Sequence, residues 1–330
     1  MRWAQGVRAV GLGILAWLIT RADWGQLYAH LVGVDIHYLL AMPLFTVLMV
    51  AVRAWRWNRL LGVHGAPFSP WRAWTAYATG VFLGAFTPGR LGDLAKALYA
   101  RDERGLPWSQ ALAGAVLDRL FDVVCMGLLA LWALAHLGWL GAWRGGVLPT
   151  ESGLVLGGLL FAGAVGAGCV RLMLRTQLSH GGALVRLKAF LGGMGDQVSV
   201  LFRAVGKSAL ALTLLAYIIY FAQTICIARA LYLPLSAADV VAAIVLVGLA
   251  SFLPLSVAGL GTREGLLALI MAHRAVPESL EAALAYSALF FAFCFAIPGL
   301  LGFACFWARP LSLGALRNTA SSEFNAGEDG

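Results

Sequence analysis

Charge is what this sequence has least of. Only 12% of its 330 residues are Asp, Glu, Lys or Arg, about half the share of a soluble domain. Hydrophobic residues make up 61%, and the mean hydropathy is +0.81. That balance cannot cover a water-exposed surface and points to a polytopic membrane protein. Cysteine is also sparse. Cys125, Cys169, Cys226, Cys294 and Cys305 are scattered through apolar runs, which excludes a disulfide framework and a zinc motif. The six histidines are equally dispersed, so neither a metal site nor a cofactor is expected. No ATP-binding motif is present, so transport would be passive, gradient-driven or dependent on a partner. The net charge of +8 does not imply nucleic acid. Arginine-rich loops held on the cytoplasmic side explain it at lower cost.

What is abundant is long apolar runs punctuated by Gly, Pro and Trp. A span needs about 20 residues. Candidates are Gly6–Thr20, Tyr38–Leu60, Leu106–Leu137, Gly153–Leu174, Ser208–Leu231 and Ala282–Ala308. The first follows Met1-Arg2 like a signal peptide, but no small-residue cleavage site follows it, so it reads as a retained anchor.

Two regions break this pattern. Trp71–Glu103 is interrupted at Pro88-Gly89, and Ala237–Ala275 at "PLSVAGLG" from Pro254 to Gly261. Each half is roughly 21–25 Å long as a helix, short for a crossing. Loop charges decide how these regions run. Arg53, Arg56, Arg59 and Arg72 precede the first, Arg101 and Arg104 follow it, and Arg171, Arg175, Arg186, Lys188, Arg203 and Lys207 fill the central segment. All fall on one side only if both broken regions turn back as re-entrant hairpins, from opposite faces.

The resulting fold class is an all-α polytopic membrane protein with an inverted-topology repeat and two broken re-entrant hairpins. Residues 1–140 read as span, span, hairpin, span, and residues 150–310 repeat that order inverted. The second repeat contains a cytoplasmic segment, 175–206, that is either a connecting loop or an amphipathic surface helix. Residues 311–330 read as a disordered cytoplasmic tail. An offset of 170 aligns Gly89 with Gly259, Arg104 with Arg274, Pro107 with Pro277 and Ser109 with Ser279. Both termini are expected in the cytoplasm, and the location is the cell (plasma) membrane.

Irregular backbone at membrane depth is tolerated only where protein buries it or where it lines a wet cavity. At the first break Pro88 and Gly89 set the turn. Arg90 then adds a cation beside the start of a half-helix, forming an anion receptor. Asp93 caps that helix or pairs with Arg90. At the second, Pro254, Gly259 and Gly261 set the turn, and Thr262 reads as the N-cap, with Arg263 and Glu264 in the first turn; Ser256, Arg263 and Glu264 are candidate substrate-binding residues, as are Arg90, Asp93, Asp118, Arg119 and Asp122. The alternatives are a structural hairpin with a snorkelling Arg90 and a local Arg263–Glu264 pair.

"LDRLFD" places Asp118, Arg119 and Asp122 about 18 Å along the third span. Unpaired, three charges there would cost roughly 8–10 kcal/mol. Pairing is therefore required, either Arg119 with Asp122 locally, or across helices to Arg90 or Arg263. Arg53, Arg56 and Arg59, with Trp55 and Trp57, read as a cytoplasmic anchor on anionic head groups, with direct substrate capture as the alternative.

At these residues the sequence resembles a known family. "FTPGRLGDLAKAL", "LDRLFD" and "LPLSVAGLGTREG", in that order, with "VRAWRWNRLL" after the second span, look like the transmembrane region of lysylphosphatidylglycerol synthases, also called flippase-like. Asp93 stands where the family often has Glu. The resemblance implies translocation of a polar-headed or charged lipid, phospholipid or prenyl-phosphate-linked, between leaflets. Full-length synthases carry a further soluble catalytic domain. None is found in these residues, so synthase activity is not expected, nor is any other enzymatic activity. The implied partners are membrane lipids, with a homodimer or a partner synthase left open. Two other readings stand beside it. One is a membrane enzyme acting on lipid phosphates, in which Asp118 and Asp122 would chelate Mg²⁺ despite Arg119 between them. The other is an ion-coupled transporter of small solutes.

Overall fold

A computed structural model describes residues 2–87, 92, 94–139, 181–251 and 259–309, and every regular element among them is helical. The order is α1 (Arg2–Arg21), α2 (Trp24–Val32), α3 (Ile36–Gly62), α4 (Pro70–Phe86), α5 (Ala95–Arg104), α6 (Trp108–His136), α7 (Gly181–Ala230), α8 (Ala237–Ser251), α9 (Thr262–His273) and α10 (Ser279–Phe291). A π-helical segment, Ala292–Ala296, then leads into α11 (Ile297–Ala308).

Local chemistry sets these bounds. The Asp23 carboxylate accepts from the Gly25 and Gln26 amides and starts α2, and Asp35 does the same for α3 through His37. Ser69 caps α4, with Pro70 in its first turn, where no amide hydrogen is needed. Gly105, at φ 65°, ends α5 in the left-handed conformation. At the head of α8, Ser236 and Asp239 cap reciprocally through their side chains and amides.

Among the described residues three stretches are long and apolar enough to cross a membrane: Ile36–Gly62, Gly195–Ala230 and Ser279–Ala308. Helix α6, with 29 residues, reaches about 43 Å but carries the charges of "LDRLFD". Helix α2 was not expected from the sequence. The segment 175–206 is helical from Gly181, and it continues unbroken into the following span as one 50-residue helix. The paired glycines there do not interrupt it.

The breaks fall where expected, between α4 and α5 and between α8 and α9. In each pair the two helices pack on each other. Gly92 lies so close to the first helix that a Cβ would sit 2.3 Å from the Leu83 carbonyl, and its amide donates to Thr87 Oγ1 at 2.6 Å. At the second break Gly261 combines φ 85° with an approach that would put a Cβ 1.8 Å from the Gly11 carbonyl of α1. Glycine is therefore required at both returns. The N-cap of α9 is Gly261; Thr262 is the first helical residue, and its hydroxyl donates back to the Gly259 carbonyl. Pro88, Gly89, Arg90, Asp93, Pro254 and Ser256 lie outside the described residues, as do the Gly153–Leu174 span and the 311–330 tail.

Helix α3 packs on α7, α6 on both α7 and α8, and α11 on α4. Elements of the two halves of the chain are thus interleaved, and the space they enclose holds the site.

Candidate functional site

The site is organised around Arg56, which has no exposed surface. Its Nε donates to Asp118 Oδ1 at 2.7 Å, and its Nη2 donates to the Asp118 carbonyl at 3.1 Å. Nη1 donates to Asp122 Oδ1 at 2.8 Å and to Thr213 Oγ1 at 2.6 Å. Four of the five guanidinium hydrogens thereby join α3 to α6 and α7. Asp118 Oδ2 is taken by Lys96 of α5, whose ammonium also lies 4.5 Å from the centre of the Tyr77 ring. Tyr217 donates to the Asp122 carbonyl at 3.1 Å.

Arg119 pairs loosely with Asp122, Nη1 to Oδ2 at 3.7 Å, as the spacing predicts. Among the described residues the cross-helix partners are other than Arg263, and Arg90 lies outside them. Arg56 and Lys96 hold the two aspartates, and Arg263 lies in a separate cluster. The sequence reading set Arg56 at the head-group boundary; the structure buries it because α6 carries two carboxylates at the same depth. Lys96 was missed as a site residue, although it is the one cation inside the apolar "LAKAL" that follows the first break.

Arg53 lies one turn before Arg56 on the same face of α3. Its Nε is buried without a hydrogen-bond partner, and no ion pair to it is found among the described residues. It lines a cavity of about 110 Å³ with Tyr77, Arg119, Asp122, Tyr217 and Tyr220 at the polar end. Met49, Val50, Val81, Met126, Val247, Phe290, Cys294, Phe295 and Pro298 make the apolar wall. The space suits several waters or one small anion. Asp122 Oδ2 accepts no hydrogen bond, so the wall offers an acceptor as well as a donor.

Arg53, Arg56, Lys96 and Arg119 stand here with Asp118 and Asp122, in surroundings that magnify each charge.

The second break is built differently. Arg263 is 2% exposed and Glu264 4%. Arg263 Nη2 donates to Glu264 Oε1 at 2.6 Å, and its Nε donates to Ser287 Oγ at 2.6 Å. Glu264 Oε2 accepts the Gly261 amide at 2.6 Å. The guanidinium also lies 5.5–5.9 Å from the ring centres of Phe290, Phe291 and Phe295. This neutral pair, which leaves Arg263 Nη1 buried without a hydrogen-bond partner, stands behind the cavity wall, and neither residue is among those lining the cavity.

On the opposite end of the molecule Asp239 gathers Arg274 at 2.7 Å and His136 at 3.0 Å. Its burial would raise its pKa, but the hydrogen bonds from Ser236 and His136 and the charge of Arg274 outweigh that and hold it below the usual range.

A family model described as "Lysylphosphatidylglycerol synthase TM region" matches residues 6–302. No curated protein and no solved structure matches the chain.

Proposed function

Because the chain belongs to the lysylphosphatidylglycerol synthase transmembrane-region family, and so to membrane proteins related to lipid handling, we propose that it moves an anionic-headed lipid between leaflets. The head group passes through the cavity at Arg53, and the tails remain in lipid. The observation that carries this reading is Arg53, which lines the cavity with its buried Nε unpartnered. A polar group crossing hydrocarbon alone loses several kcal/mol. An oriented cation with tyrosine hydroxyls beside it lowers that barrier. Asp122 Oδ2 adds an acceptor for a glycerol or sugar hydroxyl. Chemical conversion of the lipid forms no part of the reading.

The same proposal takes α4–α5 and α8–α9 as re-entrant hairpins of an inverted repeat. The shared order of a long helix, a broken pair and a further long helix supports this. The arginine distribution favours a plasma-membrane protein with both termini in the cytoplasm. A single cysteine at position 144 is then labelled only from outside.

Proteoliposomes with fluorescent lipids test the function. Phosphatidylglycerol is expected to cross faster than a lipid of the same chains with a cationic head. Equal rates for both, or no protein-dependent crossing, would remove the anion argument.

A further inference from the structure

One turn beyond the cavity, a group of oxygens lies where α3, α7 and the π segment meet. The π segment creates the first. Its register gives the Ile297 amide to the Ala292 carbonyl. The Phe293 carbonyl therefore loses its α-helical donor, and the next candidate, residue 298, is a proline without an amide hydrogen. Thr46 Oγ1 lies 2.9 Å from this carbonyl and 3.1 Å from the Met42 carbonyl, but one hydroxyl hydrogen serves only one of them. The Gln223 amide stands 2.9 Å from Thr46 Oγ1 and 3.3 Å from the Met42 carbonyl. Thr46 and Gln223 have no exposed surface, and Gln223 Oε1 has no partner.

We propose that these four groups form a binding site for a dehydrated monovalent cation of sodium's size. A half-turn of the Gln223 amide exchanges its nitrogen for its unpartnered oxygen. The ion then meets two carbonyls, a hydroxyl and an amide oxygen. Freed helical carbonyls with hydroxyl neighbours are how broken membrane helices hold such ions. An ion of calcium's radius, which sodium shares, sits about 2.3–2.6 Å from each oxygen and sets neighbouring ligands roughly 3.3–3.7 Å apart. The present spacings open to that by a few tenths of an ångström. Among the described residues no His, Cys, Asp and Glu cluster offers a metal site, and ligands without formal charge suit a monovalent ion.

The site also gives the cavity an energy source, and this part rests on the anion reading above. Thr46 precedes Arg53 by seven residues, about 10 Å along α3. The Arg53 cation opposes a second cation there until an anion fills the cavity beside it. Each ligand therefore strengthens the other, by the same factor.

Binding of radioactive sodium to the purified protein in phosphatidylglycerol nanodiscs tests the site. A saturable signal is expected, displaced by unlabelled sodium, weakly by potassium and not by choline. Gln223→Leu and Thr46→Val are expected to weaken it by about tenfold each, and Thr46→Ser to retain it. Melting transitions of all variants identify any that fail to fold, in which case the Thr46→Ser retention and the displacement series decide. No displaceable signal in the wild type, or full binding in folded Gln223→Leu and Thr46→Val, overturns the site. Lipid crossing in choline buffer separates the two proposals. Crossing without any sodium binding overturns this site alone, and sodium binding without crossing overturns the lipid reading alone.

Discussion

The two buried charge clusters look alike in the sequence and differ in the structure. Arg263 and Glu264 form a neutral pair packed against Ser287 and three phenylalanine rings, away from the cavity. The Arg56–Asp118–Asp122–Lys96 cluster ties α3, α5 and α6 together and opens through Arg53 and Arg119 onto a cavity. Charge at membrane depth therefore has two uses here. A balanced, enclosed pair fixes how a broken helix returns. A cluster whose edge cation, Arg53, faces a space with its Nε unpartnered is placed to meet a ligand.

The sharpest way to break the comparison is to remove the shared anion of the first cluster. Asp118→Ala leaves Arg56 and Lys96 buried without their common acceptor. It is expected to cost about 5 kcal/mol, the upper end for a broken buried pair, and to appear as loss of folded protein in thermal melts. Glu264→Ala in the second cluster should cost about 3 kcal/mol. There the double variant Arg263→Met with Glu264→Gln should recover most of that, since a balanced pair can be replaced as a unit. Failure of the double variant to recover would mean that the second cluster also relies on its charge.

Next come the two glycines at the returns. Gly261→Ala meets both a positive φ and the Gly11 carbonyl, and Gly92→Ala meets the Leu83 carbonyl alone. Each is expected to destabilise by about 1–3 kcal/mol, Gly261 more than Gly92, as read by melting. The smallest effect concerns Arg72 and Glu103, outside the buried clusters. The hydrogen bond from Arg72 lowers the Glu103 pKa. The folded-state value is depressed, so this stabilisation is complete above the unfolded value of about 4.3 and is lost as pH falls through the folded one. The melting difference between wild type and Glu103→Gln should shrink between about pH 5 and pH 3. A difference that stays constant over that range would show that the pair contributes nothing.

Much of the fold was legible because it follows from runs and breakers. The long apolar stretches, the two interruptions and the demand that Asp118 and Asp122 be paired all came from residue type and spacing. The partners did not. Arg56 sits among Arg53, Arg59 and two tryptophans, a pattern that also describes a membrane-surface anchor, and only the packing of α3 on α6 and α7 tells them apart. The continuity of α7 was hidden because Gly181, Gly182, Gly192 and Gly193 read as breakers, while the helical register is kept by the long apolar run after them. The orphaned Phe293 carbonyl needs a π register that no local pattern announces. Arg263 and Glu264, adjacent in sequence, were legible as a pair because no tertiary contact was needed to bring them together.

The central claim is that Arg53 is the ligand cation of the open cluster. Crossing of fluorescent phosphatidylglycerol in proteoliposomes, wild type against Arg53→Gln, tests it most directly. Losing one charge-assisted hydrogen bond to the head group should slow crossing by about tenfold to a hundredfold, with the melting transition little changed because no ion pair to Arg53 is found among the described residues. Wild-type crossing by folded Arg53→Gln would contradict the account.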